Sequence, residues 1–148
     1  MTNSFVLDAR LEADTLLVAQ WPLCHVRLMN DAQYPWVILV PNVQGVCERY
    51  ELSAAQRRQL DLESVFLSRT LMAVFNGEKL NVAALGNVVS QLHIHHVVRF
   101  EGDPTWPAPV WGALPAQAMS ESLISERLAS LSALLHPDWT ALAAAEAH

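Results

Sequence analysis

One stretch, Ser90-Gln91-Leu92-His93-Ile94-His95-His96-Val97-Val98-Arg99, constrains the fold more than any other part of the chain, and it gathers three of the six histidines into four positions. Read as a β-strand, in which successive side chains point to opposite faces, it sets Gln91, His93, His95, Val97 and Arg99 on one face. Leu92, Ile94, His96 and Val98 share the other. The apolar back predicts a half-buried strand, and two imidazoles about two strand rises apart, roughly 6–7 Å, can both reach one small anionic group. His96 points the opposite way and is expected to be structural.

The chain around this strand has 148 residues, most economically one domain spanning 1–148 and large enough to bury about two thirds of its unfolded surface. No Ser/Gly-rich or charge-block linker separates two apolar halves. The composition is 52% hydrophobic, yet no run of about 18 apolar residues occurs, so no membrane partner is expected. The first residues lack a basic region and an apolar region of the kind that directs secretion, and a cytoplasmic location is the default. Cys24 and Cys47 fit no metal-ligand spacing and read as small buried apolar residues rather than as a disulfide. Net charge is −6, with nine Lys plus Arg dispersed along the chain. A nucleic-acid polymer is therefore not an expected partner, because binding one needs a basic patch. A small anion needs only a few positioned donors and stays open.

Taken in order, residues 1–14 predict a short helical or irregular segment. Strands follow at Thr15 to Trp21, Cys24 to Met29 and Trp36 to Val40, bounded by Pro22, by the turn residues Asn30-Asp31-Ala32-Gln33 and by Pro41, and their short connections predict an antiparallel meander. His25, alone in its strand, reads as a surface or edge residue. Ser53 with Gln56 forms a capping box for a long helix from about Ala54 to Phe75. Leu60, Leu62, Val65, Phe66, Leu71, Met72 and Phe75 would pack on the sheet, with Arg57, Arg58, Asp61, Glu63 and Arg69 mostly toward solvent. Asn76-Gly77 ends that helix. Lys79 to Ala84 predicts another strand, and the turn at Gly86-Asn87 puts backbone N–H groups beside the His strand, either as a plain hairpin or as a phosphate nest. Residues 101–112, rich in proline and tryptophan, form no regular element and would be ordered by laying indoles on an apolar surface. Ser120 caps a last amphipathic helix.

Two mechanisms require two imidazoles on one strand face. A histidine can attack phosphorus while neighbouring donors carry the charge on the phosphoryl oxygens. Alternatively the imidazoles ligate a metal, which wants a third or fourth ligand. No Asp or Glu lies between Lys79 and Glu101, which favours the nucleophile and leaves no metal or other cofactor expected. A strand that merely displays surface histidines is the third possibility.

These residues resemble the histidine triad (HIT) family of nucleotidyl hydrolases and transferases, whose signature is three histidines alternating with apolar residues in a strand that follows a glycine-containing phosphate loop. Setting Gly86 on the loop glycine places Gln91, His93 and His95 on the triad positions. The resemblance implies that His93 attacks the α-phosphate to form a covalent nucleotidyl-imidazole intermediate. His95 would contact the phosphate and protonate the leaving group, and Gln91 would act as an orienting amide, since glutamine cannot titrate. A second register sets His93, His95 and Val97 on the triad positions. Asn30 and Asp31 resemble the site that holds the ribose hydroxyls; Asn87 and Val88 would offer phosphate-binding N–H groups, and Asn81 and Arg99 complete the expected nucleotide contacts. Val88 stands where relatives often carry a hydroxyl, and Trp36 where several have a supporting histidine.

The implied fold is α+β, HIT-like: an antiparallel sheet of about five strands with one long packed helix and a C-terminal helix, normally a homodimer. The implied activity is metal-independent hydrolysis or transfer at the α-phosphate of a purine nucleotide conjugate, a phosphoanhydride or a phosphoramidate, releasing the nucleoside monophosphate. The alternative is a nucleotide-binding relative with little or no turnover.

Overall fold

A computed structural model describes residues 5–147. Helix α1 (Ala9–Asp14) leads into strands β1 (Thr15–Gln20), β2 (Cys24–Met29) and β3 (Trp36–Pro41). Helix α2 (Ala54–Val74) is followed by β4 (Lys79–Ala83), β5 (Ile94–Arg99), α3 (Glu121–Ser130) and α4 (Trp139–Glu146). The five strands form one sheet in the order β1-β2-β3-β5-β4, and every adjacent pair is antiparallel. The expected architecture is thus present, with the meander as its first half. Among the described residues no helix is long and apolar enough to cross a membrane.

Alternation along the strands sorts two apolar cores onto the two faces. Val26, Leu28, Val37, Leu39, Ile94 and Val98 meet Leu60, Leu67 and Leu71 of α2 on one side. Trp36, Ile38, Val40 and Val97 meet Leu11, Tyr34 and Val110 on the other. Helix α2 begins at the expected capping box: Ser53 Oγ accepts from the Gln56 N–H at 3.1 Å, and Gln56 Oε1 from the Ser53 N–H at 2.8 Å. It ends before Asn76, whose φ of 51° is a left-handed turn. The following Gly77 is needed for space, because a Cβ there would lie 2.5 Å from Val98 Cγ1.

Three expectations about packing need correction. Glu63 does not face solvent; it is fully buried. Its carboxylate accepts the N–H groups of Leu23 and Cys24 at 2.9 Å each and Gln59 Nε2 at 2.7 Å, closing the β1–β2 connection from beneath. Burial pushes the carboxyl pKa upward against those bonds. Leu67, absent from the expected stripe, is a core residue, whereas Leu62 is only half-buried. Cys47 is exposed rather than buried, and both cysteines are free.

Ordering of the Pro/Trp segment follows Arg99. Its guanidinium donates to both oxygens of Asp103, at 2.8 and 3.1 Å, to Asn81 Oδ1 and to the Ala108 carbonyl, and it lies over the rings of Tyr34 and Trp106. Of this segment's indoles, Trp111 packs against Trp36 on the aromatic face of the sheet and Trp106 lies against the Arg99 guanidinium.

Replacing Glu63 by Leu leaves two buried N–H groups without acceptors, each costing about 1–3 kcal/mol. Urea denaturation of Glu63→Leu is therefore expected to show a loss of about 2–5 kcal/mol, with Glu63→Gln intermediate.

Candidate functional site

His93 does not belong to β5, which begins one residue later. It sits at the end of the β4–β5 loop, where its ring turns back on the chain and Nδ1 lies 2.7 Å from the Gln91 carbonyl oxygen. A carbonyl only accepts, so Nδ1 carries the proton and the lone pair of the neutral ring is on Nε2. A histidine so held is a nucleophile or base at Nε2.

His95 has the opposite tautomer for an equally local reason. The Trp36 indole, two residues before Ile38, which pairs with His95 across β3 and β5, donates Nε1–H to His95 Nδ1 at 3.0 Å. Because an indole N–H can only donate, His95 Nδ1 accepts and Nε2 carries the ring proton. Burial, then the neighbouring His93 and His96, lower its pKa to about 3. At neutral pH His95 is an uncharged hydrogen-bond donor. The two rings approach edge to face with centroids 4.9 Å apart, closer than the strand spacing alone suggested.

Both rings line a cavity of about 650 Å³. Of the other expected site residues, Asn30, Asp31, Asn87 and Val88 line it too, with Gly86 in the left-handed conformation at φ 73°. Asn30 and Asp31 occupy the turn between β2 and β3. Asn30 Oδ1 accepts from the Met119 N–H, and Asp31 Oδ1 from the Gln33 N–H, so Asn30 Nδ2 and Asp31 Oδ2 are left for other partners. Helix α1 closes one wall with Leu11, Arg10 and Asp14, and Val110, Trp111 and Leu114 close another.

Three expected residues lie elsewhere. The Gln91 side chain is turned away: Oε1 accepts from the Asp8 N–H and Nε2 donates to the Val6 carbonyl, at 2.9 and 2.8 Å. Gln91 acts on His93 through its backbone carbonyl and not through its amide. Arg99 is 1% exposed and committed to the Pro/Trp segment, and Asn81, accepting from it, faces a separate cleft. Val97, on the third position of the second register, is fully buried in the core. His96 faces α2: its Nδ1–H donates to the Ile94 carbonyl at 3.2 Å, so Ser64 Oγ donates to its Nε2 at 2.8 Å. His25 contacts Phe5 outside the cavity.

Two supporting residues carry roles the sequence did not assign. Trp36 is buried in the core and, by its alternation with Ile38 and Val40, lies on the histidine face. Arg127 of α3 carried no signal; its guanidinium donates to the carbonyls of Asp31, Ala32 and Tyr34 and so pins the turn that holds Asn30 and Asp31. Among the described residues no group of three or more His, Cys, Asp or Glu side chains is placed to hold a metal ion.

Burial also lowers His96, to about 4. Both histidines therefore gain protons on unfolding as pH falls below about 6.5, so acid favours the unfolded chain. Stability is expected to fall by roughly 2–4 kcal/mol between pH 7 and pH 5, at about 1.4 kcal/mol per pH unit for each histidine once fully engaged. Urea denaturation at the two pH values checks this, and His96→Asn should remove part of the slope.

Residues 10–102 match the HIT domain family model. A histidine triad protein from Marinobacter aquaeolei VT8 is similar, with 51% identity, a TM-score of 0.87, and coverage of 88% of this chain and 96% of that one. Another from Sinorhizobium meliloti 1021 shares 41% identity at a TM-score of 0.84, covering 86% and 95%. One from Bradyrhizobium japonicum shares 38% at the same score and coverage. No curated protein matches. Since the domain match spans more than half of the chain and these relatives align over nearly their whole length, the chain belongs to the histidine triad (HIT) family.

Proposed function

We propose that the chain is a nucleotide-binding hydrolase or transferase acting at the α-phosphate of a purine nucleotide conjugate, with His93 as the nucleophile. One observation carries the reading: the Gln91 carbonyl fixes the His93 proton on Nδ1 and leaves the Nε2 lone pair on a ring that lines the cavity. Nε2 attacks phosphorus, the bond to the leaving group breaks, and a covalent nucleotidyl-His93 intermediate forms. His95 Nε2–H, with the N–H groups around Asn87 and Val88, donates to the phosphoryl oxygens and stabilises the charge that builds on them. Water then displaces His93 and the nucleoside monophosphate is released. The step as proposed needs no metal.

Asp31 Oδ2 and Asn30 Nδ2 are suited to hold the ribose hydroxyls, as an acceptor and a donor presented side by side by a turn that Arg127 holds still. The family reading also makes the protein a cytoplasmic homodimer. An edge strand, β4, with Val82 exposed, is consistent with an apolar border that a second copy covers.

The second reading, a nucleotide-binding relative with little or no turnover, is favoured by the commitment of the Gln91 amide to Val6 and Asp8. The two readings separate in one experiment. Wild-type protein is expected to release AMP from an adenylylated carboxylic acid and, on acid quench, to show an intact mass raised by one AMP. His93→Ala should lose at least about a thousandfold in kcat/KM and show no adduct, while AMP still raises its Tm. AMP binding without release by either protein selects the binding reading.

A further inference from the structure

His95 has a single proton to offer near neutral pH, and its surroundings oppose a second. Trp36 Nε1–H occupies Nδ1 at 3.0 Å, and an indole has no acceptor to offer in return. An imidazolium at this position would set one N–H against another. The usual way for a histidine to hand a proton to a departing group, starting from the cation, is thus closed by a neighbouring side chain. Every other candidate acid is engaged or distant. Ile38 and Ala83 pair with His95 across the sheet and Trp111 packs on its ring, and none of these titrates. Among the described residues lining the cavity, the remaining charged or titratable groups are His93, whose proton is held by Gln91, the Arg10–Asp14 ion pair on α1, and Asp31 in the turn. The Thr15 hydroxyl donates to the Leu11 carbonyl, and Val88 has no hydroxyl.

We infer that Trp36 is a specificity-determining residue: by holding His95 as a neutral donor it leaves departure of the leaving group unassisted, which confines the site to weakly basic leaving groups and selects mixed anhydrides of a nucleotide with an apolar carboxylic acid over phosphoramidates of amines. The inference rests on the nucleophilic role proposed for His93. With an acyl nucleotidylate, the Nε2 lone pair of His93 forms the N–P bond while the P–O bond to the acyl group breaks. The electron pair leaves on a carboxylate, which needs no proton. Water then forms the new P–O bond, and the N–P pair returns to Nε2. One water proton stays on the nucleoside monophosphate and the other passes to solvent. With a phosphoramidate the same first step would expel an amide anion unless an acid protonated the nitrogen. Such an acid is what the Trp36–His95 bond withholds.

Charge and shape narrow the weakly basic leaving groups further. A polyphosphate tail calls for cations, but Arg10 is the single cation among the described cavity-lining residues and it is paired with Asp14 at 3.7 Å. Arg27, Arg99 and Arg127 are buried and bonded elsewhere. The remaining wall, Leu85, Val88, Val89, Trp111 and Leu114, is apolar and fits an acyl chain.

The test compares hexanoyl-AMP with the AMP phosphoramidate of hexylamine, which differ chiefly at the leaving atom. Release of AMP is measured from pH 6 to pH 8 and each rate is divided by that with free imidazole, so that intrinsic reactivity cancels. Wild type should favour the anhydride at least a hundredfold on this scale. Trp36→Phe removes the N–H and frees His95 Nδ1 to accept a proton; phosphoramidate cleavage relative to anhydride should rise at least tenfold and increase as pH falls. Trp36→His, with a side chain that can itself exchange a proton with Nδ1, serves as the second variant and should shift the ratio in the same direction. A wild-type preference below tenfold overturns the inference while leaving His93 catalysis standing. So does an unchanged ratio and pH profile in both variants. Cleavage of neither compound by wild type, with AMP still bound, overturns the nucleophilic reading and this inference together.

Discussion

The hydrogen bond from the Trp36 indole to His95 Nδ1 decides the electrostatic state of the cavity, and it exists because of strand register. Ile38 pairs with His95 and Trp36 with Val97, so the indole reaches His95 as a diagonal neighbour on the same face. A slip of one residue would send Trp36 to the α2 side and bring an aliphatic chain to the histidine. Register in turn is held from behind. Val37 and Leu39 of β3 and Ile94 and Val98 of β5 are buried with α2, and His96 is bonded to Ser64 of that helix. The long helix therefore contributes no group to the cavity and still fixes the tautomer of a residue inside it.

Around this pair the fold keeps its buried guanidinium groups out of the cavity. Arg99 and Arg127 are buried, and their donors bind backbone carbonyls and side chains of loops: Arg99 gathers residues 103–108, while Arg127 gathers the turn from Asp31 to Tyr34. Burying a guanidinium is costly unless its donors are matched, and here they are met by a carboxylate or by carbonyls. The irregular segments that flank the cavity are positioned in this way without regular secondary structure. Apart from Arg10, which is paired with Asp14, the donors proposed to meet a phosphate are neutral: the His95 N–H and loop N–H groups after Gly86. Neutral donors stabilise developing charge by being oriented beforehand, and that suits the phosphoryl-binding role proposed for the site.

Much of this was legible in the sequence because it follows from periodicity and caps. The bounds of β2 match the expected strand, α2 starts at the Ser53–Gln56 box, and alternation around His93, His95 and His96 separates the two faces as expected even though β5 begins only at Ile94. Failures arose where a polar side chain answers to a distant backbone group. Glu63 falls on the polar side of a helical wheel by composition, yet two N–H groups from the β1–β2 connection make its burial tolerable. The resemblance set Gln91 on a triad position, but the residues before α1 claim its amide. Arg99 looked available to an anion until Asp103, four residues on, took it. For Glu63 and Gln91 the partner is set by tertiary placement, which no local pattern encodes; the Arg99–Asp103 pair is local and forms on the irregular segment that follows β5.

The site's proposed chemistry turns on two opposite tautomers side by side, and the most direct test reads them. Protein labelled with ¹⁵N in its histidine rings, observed by long-range ¹H–¹⁵N correlation at pH 7, should show His93 protonated on Nδ1 and His95 protonated on Nε2, with His95 remaining neutral down to pH 5. Assignment by His93→Gln and His95→Gln identifies each signal. A His95 protonated on Nδ1, or one that becomes an imidazolium between pH 7 and pH 5, would contradict the hydrogen bond on which the site's proposed chemistry depends.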